Sequence, residues 1–315
     1  MSAEGFTPHH AGSPVRPTTI LEPLRLSELL GAKVKLASET FQHTGSFKFR
    51  AAYNVAASVK QSLLIAASSG NFGQALAYAC QILGKSCIVV MPKNSAEVKV
   101  NAVREFGGQV EFVDIAKKSR EARVTELAKE HRDAYIASAY DDPLIIEGNS
   151  SLGRELRALK PLDIVVVPVG GGGLISGIVK GLEGSDISVI GAEPLMANDA
   201  ARSLRTGEIV RNNIEPQTIA DGARTVSLGK YNWEIIRKSV STIVEVPEGM
   251  ITEAVRFLFT VANLKVEPTG ALAVAAVMMA PEMFRGRSVY CVISGGNVDP
   301  AVYARILTES TEAPR

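Results

Sequence analysis

Lys48 stands between two phenylalanines in HTGSFKFRAAYN, residues 43–54, where the spacing predicts the first turn of a helix. A cation is disfavoured at a helix N-terminus, and an ammonium flanked by Phe47 and Phe49 loses hydration, so the position works against the charge. Two readings follow: a desolvated, nucleophilic amine able to form a Schiff base, or a side chain that snorkels past the rings to water. Three further stretches suggest ligand binding. SSGNFG (68–73) follows an apolar run and opens a helix, so its small residues and free N–H groups suit an anion such as a carboxylate; a plain Ser/Asn cap with a turn glycine explains it equally. GGGGLISG (170–177) has four consecutive glycines, more than one turn requires, and reads as a main-chain amide cradle for a phosphate. It has neither the Gly-Lys-Ser/Thr ending of a Walker A loop nor the G-x-G-x-x-G spacing. SGGNVD (294–299) sets the hydroxyl of Ser294 at the end of another apolar run.

These loops need strands to present them. SLLIAA (62–67) reads as a strand, QALAYACQIL (74–83) as a helix closed by Gly84, and SCIVVMP (86–92) as a strand. SAEVKVNAVREF makes a helix ended by Gly107, followed by the strand QVEFVD and a helix to about His131. A second series comprises the strand DIVVVPV (163–169), a helix from Leu174, the strands ISVIGAE (187–193) and TIVEVP (242–247), an Ala-rich helix from Thr269, and the strand SVYCVIS (288–294). Strands too apolar to face water on either side argue for parallel sheets covered by helices, with crossings near DDP (141–143) and before Ser62. Ligands of such sheets bind beyond the strands' carboxyl ends, where the three loops lie.

The chain has 315 residues, 46% apolar and 21% charged, enough for two domains, and a net charge of +1 with the signs interspersed. That balance gives no footprint for nucleic acid or an anionic membrane surface, which leaves small molecules or a second copy as partners. No run approaches the ~20 apolar residues of a membrane span, and the first residues do not read as a signal peptide. Cys80, Cys87 and Cys291 are far apart without a C-x-x-C pair, and two lie in apolar runs that suit buried thiols in a reducing cytoplasm. The first fourteen residues and ESTEAPR (309–315) are expected to be loosely ordered, with no regulatory domain expected after the catalytic region.

A lysine suited to imine chemistry, a phosphate cradle and polar groups at neighbouring strand ends together describe a pyridoxal phosphate site. TGSFKFRAA, SSGNFGQALA, GGGGLISG, EPTGALAVAA and SGGNVD occur in the order and spacing of the fold type II pyridoxal phosphate enzymes. Within that family the chain resembles the serine/threonine dehydratase and serine racemase group, over residues 17–302. The resemblance implies a tryptophan synthase β-like α/β fold of two open, mainly parallel twisted sheets with helices on both faces. It also implies a large cofactor-binding domain (1–60 and 144–315) and a small, mobile substrate-side domain (61–143). Lys48 would carry the cofactor as a Schiff base, Asn71 would bond its phenolic oxygen, and the amides of Gly170, Gly171, Gly172, Gly173 and Leu174 would hold its phosphate. Ser294 would face the pyridine nitrogen, with Glu267 nearby. A neutral hydroxyl there favours β-elimination over transamination. The substrate would meet Ser68, Ser69, Gly70, Asn71 and Phe72, its carboxylate held by Ser68, Ser69 and Asn71, and Ser69 matches the opposite-face acid/base of racemases.

In GAEPLMANDAARS, Glu193, the Ala197 carbonyl and Asp199 resemble the magnesium or calcium site of the racemase-like members; without the resemblance, two such acids read as a solvated helix start. The implied activity is an ammonia-lyase (dehydratase) converting a β-hydroxy amino acid to a 2-oxo acid and ammonia. Serine-type racemisation is the alternative, and a cysteine synthase-like β-replacement fits less well because those enzymes carry threonines where this chain has GGGG. Phe72 stands where the group usually has histidine, and EGNSSLG (147–153) departs from its Q-G-T pattern. Loss of a polar contact at Phe72 points to β-substituents larger than that of serine, with threonine, 3-hydroxyaspartate and 3-phenylserine as candidates. A homodimer is the family's expectation.

Overall fold

The computed structural model describes residues 13–309, so most of the two stretches expected to be loosely ordered lies outside the described residues. The chain opens with β1 (Thr19–Leu21), α1 (Leu24–Leu30) and β2 (Lys33–Ser38), then turns into α2 (Lys48–Ser58). An alternating series follows: β3 (Leu63–Ala67), α3 (Asn71–Ile82), β4 (Ser86–Pro92), α4 (Glu97–Glu105), β5 (Gln109–Val113), α5 (Arg120–Glu130) and β6 (Tyr135–Ile136). Helix α6 (Pro143–Arg157) leads to β7 (Ile164–Pro168), α7 (Gly173–Gly181), β8 (Ser188–Pro194) and α8 (Asp199–Thr206). The chain finishes with α9 (Lys230–Ser239), β9 (Thr242–Val246), α10 (Glu248–Ala262), α11 (Pro268–Met279), β10 (Ser288–Ile293) and α12 (Pro300–Thr308).

Two sheets result. The larger runs β1-β2-β10-β7-β8-β9 and is parallel except where β1 meets β2; the smaller runs β5-β4-β3-β6 and is parallel throughout. Every residue of β7 (IVVVP) and of β10 (SVYCVI) is buried, as their largely apolar sequences require of strands covered on both faces. The larger sheet separates two apolar cores, one holding the Ala-rich α11 and the other α7; the smaller sheet likewise has α2 and α3 on one face and α5 on the other. The apolar runs locate the inner strands to within a residue or so. They do not reveal β1, β2 or β6, which are short or, in KVKLAS, begin by alternating lysine with apolar residues.

Helix α2 joins the two sheets. Phe49, Ala51, Ala52, Val55 and Ala56 pack in the core of the smaller sheet together with Ile145 of α6, which lies against the helix. The approach is close: a Cβ added to Gly148 of α6 would fall 2.7 Å from the Ala51 Cα and the Arg50 carbonyl oxygen. Gly153 of α6 and Gly181 of α7 meet in the same way, so the small residues of EGNSSLG form a helix seam. Beside it the Arg50 guanidinium is fully buried and takes two carboxylates in forked geometry, Glu39 at 2.7 and 2.9 Å and Glu155 at 2.7 and 3.2 Å.

Among the described residues no helix is long and apolar enough to cross a membrane. All three cysteines are buried and free of disulfides. Their expected separation holds only for Cys291, because α3 folds back onto β4 and places Cys80 and Cys87 in the same apolar core.

Candidate active site

The N-terminus of α2 is fixed to the end of β10: the Phe47 N–H donates to the Ser294 carbonyl at 3.0 Å, and Ser46 bridges Gly295. Lys48 is the first residue of that helix. Its Nζ donates to the Ala139 carbonyl at 2.7 Å and lies 5.0 Å from the ring centroid of Phe47 and 5.8 Å from that of Phe72. Phe49, the expected second flank, points into the core, and Phe72 replaces it. The side chain does not snorkel. Burial pushes the amine down to about 8, against the opposing pull of the Glu267 carboxylate, and leaves a group able to hold or release a proton near neutrality.

Glu267 sits at the start of α11, almost wholly buried, and burial raises its carboxyl to about 8. Asn71 Nδ2 donates to both its oxygens, at 2.9 and 3.1 Å, and Asn71 Oδ1 accepts from Asn297 at 2.8 Å. Asn71, expected to bond a phenolic oxygen, also links the first turn of α3 to the larger sheet. Near Glu267 the Ser294 hydroxyl is buried without a hydrogen-bond partner.

The glycine run leaves β7 and enters α7. The amides of Gly170, Gly171 and Gly172 donate to no acceptor among the described residues. Phosphate access is not the only reason for these glycines. A Cβ on Gly171 would fall 2.2–2.6 Å from the Tyr140 ring, one on Gly173 would fall 2.7 Å from the Tyr140 carbonyl, and Gly172 has φ +91°. Asn232 Nδ2 bonds the carbonyls of Gly171 and Tyr140, and Asn149 Nδ2 bonds that of Gly173, so the loop is held from beneath by two asparagines. Unpaired amides, an unpartnered hydroxyl at Ser294 and an amine of lowered basicity between them fit the phosphate, ring nitrogen and aldehyde of pyridoxal phosphate.

In the SSGNFG loop the Ser68 Oγ accepts from Gly73 N–H at 3.0 Å and from Gly70 N–H at 3.4 Å, so Ser68 ties down the first turn of α3, whose N-cap is Gly70. Gly70 is exposed at the turn, and Phe72 is buried with the small-sheet core, its ring 5.8 Å from the Lys48 Nζ. Ser69 is half-buried, and its Oγ accepts from Arg120 Nη1 at 3.4 Å. Arg120 lies outside the motifs, as does Lys99, whose charge reaches Glu267 and which pairs with Asp221 at 2.7 Å. Like Lys48, Arg120 opens a helix, α5, against the dipole, and that misplacement is the signal by which the sequence could have revealed it.

Glu193 and Asp199 lie together at the end of β8 and the start of α8, both buried, with Ala197 in the turn between. The Glu193 carboxylate accepts from the N–H groups of Ala200 and Ala201, so it also caps α8. Asp199 Oδ1 accepts from Asn212 at 3.0 Å, while Oδ2 is buried and unpartnered. Burial raises both carboxyls, Asp199 to about 7. Two oxygen donors with an unpaired lone-pair site fit a hard cation. No third acid, histidine or cysteine joins them among the described residues.

A family model described as Pyridoxal-phosphate dependent enzyme matches residues 12–295. The chain is 37% identical over 297 residues to an L-threo-3-hydroxyaspartate ammonia-lyase of Pseudomonas sp, covering 92% of each chain. It is 35% identical over 299 residues to a serine racemase of Schizosaccharomyces pombe, covering 93% of this chain and 92% of that one. Among solved structures, a serine racemase of maize superposes with a TM-score of 0.87 at 28% identity, covering 93% of this chain and 92% of that one.

Proposed function

We propose that this chain, which belongs to the pyridoxal-phosphate dependent enzyme family, is an ammonia-lyase whose preferred substrate is 3-hydroxyaspartate, converted to a 2-oxo dicarboxylic acid and ammonia. Bound pyridoxal phosphate supplies an electron sink conjugated to the substrate Cα, which makes the Cα–H bond acidic and lets the β-hydroxyl leave. The chain supplies the rest. Lys48 is the attachment point and the base that takes the Cα proton, oriented by the Ala139 carbonyl and made available near neutrality by burial. The amides of Gly170 to Leu174 bind the phosphate, Ser294 offers a neutral partner to the ring nitrogen, and Asn71 with Glu267 lines the remaining edge.

The choice of substrate is carried by Arg120 beside Ser69. A guanidinium at the substrate end of the cleft pairs with a second carboxylate in forked geometry, whereas serine, threonine and 3-phenylserine have none to offer. Phe72, buried as it is, gives no surface for the bulk of 3-phenylserine. Release of ammonia and oxo acid across these four substrates tests the reading. Arg120→Gln should lower kcat/KM for 3-hydroxyaspartate by about 10- to 100-fold, the worth of a charged hydrogen bond, and leave that for threonine within a few-fold. Equal losses on both, or a wild-type preference for threonine, would refute it. Ser69, with a hydroxyl proton free to give, favours a second reading in which some substrate is returned as its enantiomer; chiral analysis of unreacted substrate decides it.

Glu193, Asp199 and the Ala197 carbonyl are the residues that would hold a magnesium or calcium ion, supported by the unpartnered Asp199 oxygen. A cytoplasmic setting is supported by the three free thiols, and a homodimer by the family resemblance.

A further inference from the structure

We infer that Glu215 is a specificity-determining residue, occupying Arg120 until a substrate's distal carboxylate replaces it. The inference rests on the 3-hydroxyaspartate reading. Among the described residues Arg120 has two polar neighbours, Ser69 Oγ at 3.4 Å and Glu215 Oε2 at 4.0 Å. They come from different parts of the fold. Ser69 belongs to the loop after β3 of the smaller sheet; Glu215 belongs to the segment between α8 and α9, which follows strands of the larger sheet. The same segment presents Asp221 to Lys99 of α4 at 2.7 Å. Two basic side chains on helices of the smaller sheet are thus met by two acids from one segment, and the Arg120 pair is the looser.

Looseness is what exchange needs. The Arg120 and Glu215 side chains are 28% and 54% exposed, and a solvated pair at 4.0 Å adds little stability. A substrate carboxylate brought to Ser69 accepts two N–H groups of the guanidinium fork at closer range and displaces it. A β-substituent without charge leaves Glu215 in place. An acidic one meets a second negative charge, so Glu215 weakens binding of every dicarboxylate and admits only those that also engage the amino-acid contacts of the site.

The test is Glu215→Gln in the holoenzyme, at an exposed position where folding is not at stake. The KM for 3-hydroxyaspartate should fall about two- to five-fold with kcat unchanged within twofold, and the KM for threonine should not follow. Succinate, a four-carbon dicarboxylate, should inhibit about two- to five-fold more tightly, while butyrate, its one-carboxylate counterpart, inhibits as before. Glu282→Gln removes an exposed acid paired with Arg285 and controls for net charge. A matching shift in Glu282→Gln, a parallel fall in the threonine KM, or no shift in Glu215→Gln overturns the inference. If Arg120→Gln raises the 3-hydroxyaspartate KM while Glu215→Gln is silent, Glu215 alone fails. If both are silent, the substrate reading fails with it.

Discussion

A lysine amine in water is almost wholly protonated at pH 7, and the burial that lowers Lys48 to about 8 brings its free form into the working range. The sign is set by desolvation, which penalises the cation; Glu267 opposes it without cancelling it. Below about pH 8 the free-amine fraction therefore rises about tenfold per pH unit, then levels off. Cofactor-stripped protein mixed with pyridoxal phosphate should follow the same curve in the rate at which its visible absorption band appears, and Lys48→Arg should give no band. A rate still climbing tenfold per unit at pH 10 would mean an unperturbed amine. Lys48, Ser69 and Ser294 were legible in the sequence because each sits in a short motif at a strand or helix end. Tyr140, Asn149 and Asn232 were not, because their partners lie far away in the chain and only the folded topology brings them together, and Arg120 left only its place at the start of a helix as a sign.

Between β7 and α7 the loop has two tasks, to leave its amides free and to let a neighbouring segment pass. The sequence showed the first, since four glycines exceed what one turn needs, but not the second, since nothing near residue 170 announces Tyr140. Segment 138–142 enters α6 here: the Ala139 carbonyl holds Lys48, the Tyr140 ring covers Gly171, and Asp141 and Asp142 cap α9 and α6. Gly171→Ala drives a methyl into that ring and should destabilise the protein by about 1–3 kcal/mol, as overpacking does, and weaken cofactor binding in proportion. In a Tyr140→Ala background the same substitution should cost much less. Urea midpoints and cofactor dissociation constants for the four proteins close the cycle, and strict additivity would show that the contact does not matter.

Across the whole molecule, α2 and α6 lock the two sheets together, and the Arg50 cluster ties this seam to the end of β2 and, through the Arg16 carbonyl, to the segment before β1. The segment between α8 and α9 is anchored by Thr218 and Ile219 to the Glu248 carboxylate and by the Gly222 N–H to Thr269. It carries Glu215 and Asp221 to the cleft, and Asn212 connects it to Asp199 beneath β8. Without a cation, Glu193 and Asp199 are two buried carboxyls in one low-dielectric site, which costs stability whether they ionise or take up protons. A divalent cation relieves that cost in the native state alone, because the unfolded chain does not hold the two acids together. At a concentration about 100 times its dissociation constant such a ligand adds about 2.7 kcal/mol. Chelator-treated protein should therefore melt several degrees higher when magnesium or calcium is restored in excess, and proteolysis between residues 207 and 229 should slow in parallel. Asp199→Asn, which keeps the shape and removes the charge, should abolish both responses. An identical rise in that variant, or none in the wild type, would mean that these carboxyls serve only to cap α8 and to hold Asn212.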